Sequence, residues 1–68
     1  MESGIVEWFS AQKGYGFIAY GDEKEIFVHY TAIQSDAFKV LGTGQNVTFE
    51  IKEGSRGLQA ANVSIVTN

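Results

Sequence analysis

The sequence predicts an all-β protein, a small closed or partly open barrel of five short strands. Three observations carry this. Apolar residues alternate with a period of two over several runs, glycine-marked turns separate those runs, and no stretch holds a helical period of ordinary length. At 68 residues the chain has room for one core and no second domain.

The first strand is "GIVEWF", residues 4–9. Val6 and Trp8 have the same parity there, so one can be core and the other surface only if a bulge or strong coiling intervenes. Residues 15–20 set Tyr15, Phe17 and Ala19 against Gly16, Ile18 and Tyr20. Residues 25–30 set Glu25, Phe27 and His29 against Ile26, Val28 and Tyr30. Between them "GDEK" has the Gly and Asp of a short hairpin loop, so the two runs pair antiparallel. One face of that hairpin carries Ile18, Ile26 and Val28; the other carries Tyr15, Phe17, Phe27 and His29.

Residues 31–45 form a long connection with at most one helical turn, near Thr31 to Ile33. In "QNVTFEIKE" Val47, Phe49 and Ile51 alternate with Thr48, Glu50 and Lys52, the pattern of a half-buried strand. "GSRG" is a tight turn, and "LQAANVSIVT" is a weaker last strand with Ala61, Val63 and Ile65 in alternation.

Composition narrows the function. There is no cysteine, so neither a disulfide framework nor a thiolate metal site supports the fold. "MESGIVEWFS" has no basic leader region and no long apolar run, which reads as an intracellular protein without a membrane span. The net charge of −3 argues against a nucleic-acid partner, since phosphate contacts need Lys and Arg. Distribution softens the objection: Asp22, Glu23 and Glu25 cluster around Lys24, whereas Lys13 and Arg56 each sit beside glycine, away from an acidic run.

The aromatic face admits two readings. Tyr15, Phe17 and Phe27 could be core, as rings in small barrels usually are. Against this, the hairpin already has an aliphatic core face, and a second face is either exposed or covered by the 31–45 connection. Exposed ring clusters serve binding. Rings flanked by cations stack bases of single strands at about 1–3 kcal/mol per base.

Residues 13–18, "KGYGFI", resemble the first ribonucleoprotein motif of the cold-shock domain, and 26–30, "IFVHY", resemble its second. "GIVEWFSAQKGYGFI" looks like the family's opening, "HYTAIQSDAFKVL" its long loop and "GQNVTFEIKEGSRGLQAANV" its last two strands. The resemblance implies one cold-shock domain over residues 1–68, folded as a five-stranded antiparallel OB-type (Greek-key) barrel. It implies a bacterial cytoplasmic RNA chaperone of cold adaptation that binds single-stranded RNA and DNA and opposes mRNA secondary structure. Neither ATP nor a metal is expected.

Carried over position by position, the stacking residues fall on Trp8, Phe17, Phe27, His29, Tyr30 and Phe38, with Tyr15 where phenylalanine is usual. Phe9 is assigned to the same surface, Lys13 and Arg56 to the nucleic-acid strand, and Gln59 to the nearby groove. Gly14 and Gly16 are expected to slim the backbone so that a strand approaches closely. The chain departs from the pattern at Ile5 and Glu7, where the family commonly has lysines, at Ser10 for asparagine, at Leu58 for proline, and at Asp36 and Ala37 in place of glycine-rich sequence. Losing two cations, one of them to an acid, implies weaker binding.

Other chemistry finds little support. One histidine without cysteine makes a poor metal site. Ser10, His29 and Asp36 have only their residue types in favour of a hydrolytic triad, so no enzyme activity is expected. "GYG" and "GTG" lack the Gly-Lys-Ser/Thr of a phosphate loop. "NVT" and "NVS" match the glycosylation acceptor only formally. The competing reading is a peptide-binding barrel of SH3-like type, whose acidic balance would suit basic ligands. A monomer is the default for so small an acidic domain.

Overall fold

The alternating runs form the barrel's central hairpin. The computed structural model describes residues 1–34, 41–55 and 57–66. Its strands are β1 (Glu2–Ser10), β2 (Tyr15–Tyr20), β3 (Lys24–His29), β4 (Asn46–Gly54) and β5 (Gly57–Ile65), with one 3-10 turn at Tyr30–Ala32. β2 and β3 pair antiparallel with Gly16 opposite Val28, Phe17 opposite Phe27 and Ile18 opposite Ile26. Ile18, Ile26 and Val28 are buried, as their parity requires.

The strands close in the order β1-β2-β3-β5-β4, with β4 returning antiparallel to β1. The all-antiparallel expectation needs one adjustment: β3 meets β5 in parallel, at Phe27 opposite Gln59. The reason is arithmetic. Strand directions around a closed ring can alternate throughout only if the number of strands is even, and this ring has five.

Three irregularities shape the barrel. In β1 the register shifts between Val6 and Trp8, so of the two ways to reconcile their shared parity the chain takes a bulge. Val6 is 1% exposed and Trp8 41%. In β5, Asn62 adopts a left-handed φ of 51°, and the pairing with β4 slips between Thr48 and Glu50. The kink turns Ala60 and Val63 into the core, in place of the expected Ala61, Val63, Ile65 alternation. The Asn62 side chain is held on both sides, accepting from Gln34 Nε2 at 2.8 Å and donating to Glu50 at 3.2 Å. The third irregularity is at Ile51, expected inward but 38% exposed. β1 covers β4 only from Asn46 to Phe49, so beyond Phe49 the β4–β5 hairpin outruns the closed wall.

The core joins these strands to Ile33 and Leu41 at the two ends of the long connection. Phe49 fills its centre and meets Tyr20 edge-on, with ring centroids 5.5 Å apart. Among the described residues no helix is long and apolar enough to cross a membrane.

Candidate functional site

With Val6, Ile18, Ile26 and Val28 committed inward, the β1-β2-β3 sheet presents rings outward. Trp8 comes from β1, released to this face by the bulge; Tyr15 and Phe17 come from β2 and Phe27 from β3. The four form a closed circuit. Centroids are 5.6 Å apart for Trp8–Phe17, 5.9 Å for Phe17–Phe27, 5.7 Å for Tyr15–Phe27 and 5.9 Å for Trp8–Tyr15. Tilted and edge-to-face pairs of this kind contribute about 0.5–1.5 kcal/mol each beyond their burial. The rings therefore hold one another in place while their outer faces remain open.

Two adjoining recesses share Tyr15 and Phe27. One, about 490 Å³, is walled by Trp8, Tyr15, Phe17, Glu25, Phe27 and Leu58. The other, about 370 Å³, is walled by Tyr15, Phe27, His29, Thr31, Ser55 and Gln59. A larger recess of about 570 Å³ lies elsewhere, among Ser3, Ile5, Tyr20, Lys24 and Val66. Its one ring, Tyr20, is packed on Phe49 and lies 5.9 Å from the Lys24 ammonium, so it offers no stacking platform.

His29 both ends β3 and starts the 3-10 turn. Its Nδ1 accepts the Thr31 backbone N–H at 3.3 Å and lies 2.9 Å from Thr31 Oγ1. An accepting Nδ1 places the ring proton on Nε2. The imidazole lies 4.6 Å from the Tyr30 ring, tilted by 40°. Tyr30 is exposed, its amide donating to the Gly14 carbonyl at 2.9 Å.

The structure thus brings Trp8, Tyr15, Phe17, Phe27, His29 and Gln59 into one groove, with Tyr30 at its end. Lys13 is exposed in the β1–β2 turn, its backbone N–H donating to Ser10 Oγ at 3.1 Å. Phe9, assigned to the same surface, lies opposite Gly16 and is partly buried against the core. Phe38 and Arg56 lie outside the described residues.

The glycines also differ from expectation. A Cβ on Gly16 would meet the Trp8 carbonyl oxygen, and Phe9 Cα at 2.7 Å; one on Gly14, whose φ is +80°, would meet the Tyr30 ring at 2.9 Å. Their missing side chains make room for β1 and Tyr30, so the protein's own packing fills that space.

Sequence reasoning missed Glu25, Thr31, Ser55 and Leu58 as groove residues. Glu25 shares the outward parity of Phe27 and was findable; Leu58 and Ser55 arrive through the parallel β3–β5 seam, which no local pattern encodes. Glu7, at the bulge, has Glu25 as a neighbour close enough for a carboxyl–carboxyl hydrogen bond when one of the two is protonated. This bond, some desolvation and the repulsion of the second carboxylate raise the Glu7 pKa above its ordinary 4.5. Among the described residues no group of three or more His, Cys, Asp or Glu could hold a metal ion.

A closed five-stranded barrel with an open ring-lined face and polar groups at its margin defines a class: a small β-barrel built to bind flat ligands by stacking. Residues 2–66 match the 'Cold-shock' DNA-binding domain, and the chain belongs to that family. It is 56% identical over 63 residues to cold shock protein CspC of Bacillus subtilis (strain 168), an alignment covering 93% of this chain and 96% of that one. Cold shock protein CspB of Bacillus caldolyticus is similar to the same extent, 56% over 63 residues with the same coverage. Among solved structures, drosophila Unr CSD456 superposes with a TM-score of 0.76 at 21% identity, over 97% of this chain and 26% of that one. This last likeness concerns the fold alone.

Proposed function

We propose that this protein binds single-stranded RNA and DNA by stacking successive bases on the Trp8–Tyr15–Phe17–Phe27 circuit and on His29 and Tyr30. Lys13 and Arg56 meet the phosphates. Phe38 and Gln59 complete the contact surface. The observation that carries this reading is the ring circuit, with Trp8 exposed and Tyr15, Phe17 and Phe27 half-buried, on a face whose opposite side already supplies the core. Family membership supports it independently.

Stacking is tolerant of base identity, because every base has a π-face. A strand held unpaired on such a face cannot fold back on itself. The protein therefore acts as an RNA chaperone that opposes mRNA secondary structure in the cytoplasm, most usefully in the cold, when base pairing is strongest. It works as a monomeric domain, with no catalysis required.

Trp8 is the only tryptophan and reports directly. Titration with a short oligo-dT at low salt should quench its fluorescence, and Phe17→Ala and Phe27→Ala should each remove most of the binding with the far-UV spectrum unchanged. A hairpin RNA with a fluorophore and quencher at its ends should open on addition of the protein without ATP. Absence of quenching at every oligonucleotide concentration, with quenching by a PxxP peptide, would replace this reading with the peptide-binding one.

A further inference from the structure

Where β3 runs into the 3-10 turn, the backbone at His29 is still extended, with φ −104° and ψ 151°, and its imidazole caps the turn that follows. One residue, Thr31, supplies both partners of Nδ1: its backbone N–H at 3.3 Å and its hydroxyl at 2.9 Å. A backbone N–H only donates, so Nδ1 accepts. The hydroxyl, which rotates to suit its partner, then donates to Nδ1 as well.

A neutral imidazole has one accepting and one donating nitrogen. With Nδ1 taken by Thr31, the Nε2–H is the donor His29 has left to give. The same two bonds restrain the outer torsion of the ring, which in a histidine is otherwise broad. His29 lines the recess of about 370 Å³ together with Tyr15, Phe27, Thr31, Ser55 and Gln59. Ser55 and Gln59 carry both donor and acceptor atoms and turn to suit a ligand; His29 offers a donor fixed in advance. A single strand passing through presents acceptor oxygens, on its phosphates and on its base edges.

Resting on the nucleic-acid reading above, we infer that Thr31 is a positioning residue of this groove: it holds His29 in the Nε2–H tautomer and in one orientation, so that the imidazole gives a hydrogen bond to an acceptor oxygen of the bound strand.

The test reads tautomer and binding separately. At about pH 8, where an ordinary imidazole is neutral, long-range proton–nitrogen correlation spectra of the intact protein should show a protonated Nε2 and an accepting Nδ1. Thr31→Val keeps the shape and the backbone N–H but loses the hydroxyl; the Nδ1 resonance should move, and oligo-dT affinity by Trp8 quenching should fall about two- to fivefold. Thr31→Ser should restore both. In a His29→Phe background, which keeps a flat ring without the donor, Thr31→Val should lower affinity no further, the coupling that a double-mutant cycle measures. Thr31 is exposed, and far-UV spectra check that each variant folds. An effect that persists on oligo-dT with uncharged methylphosphonate linkages supports a base carbonyl as the acceptor; one that shrinks there supports a phosphate oxygen. A wild-type ring protonated on Nδ1, unchanged affinity in Thr31→Val, or an equal loss in the His29→Phe background would overturn the inference while leaving single-strand binding intact. Failure of the wild type to bind oligo-dT would overturn the nucleic-acid reading, and with it the use of this donor, whatever the tautomer.

Discussion

The carboxyl groups of Glu7 and Glu25 meet across the outer face of the barrel, beside the recess that Trp8 and Phe27 share. Two features of the sheet allow it. The β1 bulge leaves Glu7 exposed between Val6 and Trp8, and the β2 residue opposite Glu25 is Ala19, too short to stand between two glutamates. At neutral pH two like charges face each other where an anionic ligand would pass.

Glu7→Gln should raise the melting temperature at pH 7. The pKa of Glu7 is raised in the folded protein above 4.5, so the folded state holds this proton more tightly than the unfolded chain does. Stability is therefore lost as pH rises from 4.5 through the raised value. The gain from Glu7→Gln should be full above that window and fade below pH 4.5. Melting curves of both proteins across this range check it; a gain independent of pH would show that the carboxyl pair is not its source.

Replacing the charge should affect binding more than removing it. Glu7→Lys restores a cation to a face of net repulsion and gives Glu25 a partner. At an exposed site such electrostatic effects are small and screened by salt, so oligo-dT affinity should rise by a few-fold at most at low salt and by less as salt is added. Unchanged affinity in a fluorescence titration would mean that the strand passes Glu7 at a distance.

Salt dependence should be weak. Lys13 and Arg56 are the cations assigned to the strand, against a net charge of −3. Each neutralised phosphate adds about −0.7 to the slope of log K against log salt, so a slope around −1 to −2 is expected. A slope steeper than about −4 would move the source of affinity from rings to charges.

Gly16→Ala should cost about 3 kcal/mol, the upper end for an overpacked core. The new methyl would press on backbone, Phe9 Cα at 2.7 Å and the Trp8 carbonyl, which cannot rotate aside. Urea unfolding measures the loss. A cost below about 1 kcal/mol would mean that β1 is free to shift away from β2 at little expense.

Much of this architecture can be read from local alternation. Opposite faces of one hairpin, Ile18, Ile26 and Val28 inward and Tyr15, Phe17 and Phe27 outward, follow from a period of two, because successive side chains of a strand point to opposite sides. The conflict between Val6 and Trp8 announced an irregularity, a bulge or strong coiling, and the paired register decides for the bulge. Alternation failed where the backbone left the extended region or the sheet ran out: at Asn62, whose left-handed turn shifts the inward set to Ala60 and Val63, and at Ile51, past the end of β1. At Phe9 alternation and resemblance part: the resemblance assigned it to the ring surface, whereas its place next to Trp8 in the strand sets it against the core.

By itself, then, the sequence determined the strands, the aliphatic core face and the ring-bearing face, because these depend on neighbours one or two residues away. Tertiary structure alone decided which side chains meet across the barrel. Glu7 reaches Glu25, and Leu58 and Gln59 reach the Phe27 groove, through pairings between strands far apart in the chain. The parallel β3–β5 seam that delivers Leu58 exists because five strands closed into a ring cannot all alternate in direction, a constraint that appears only when the barrel closes.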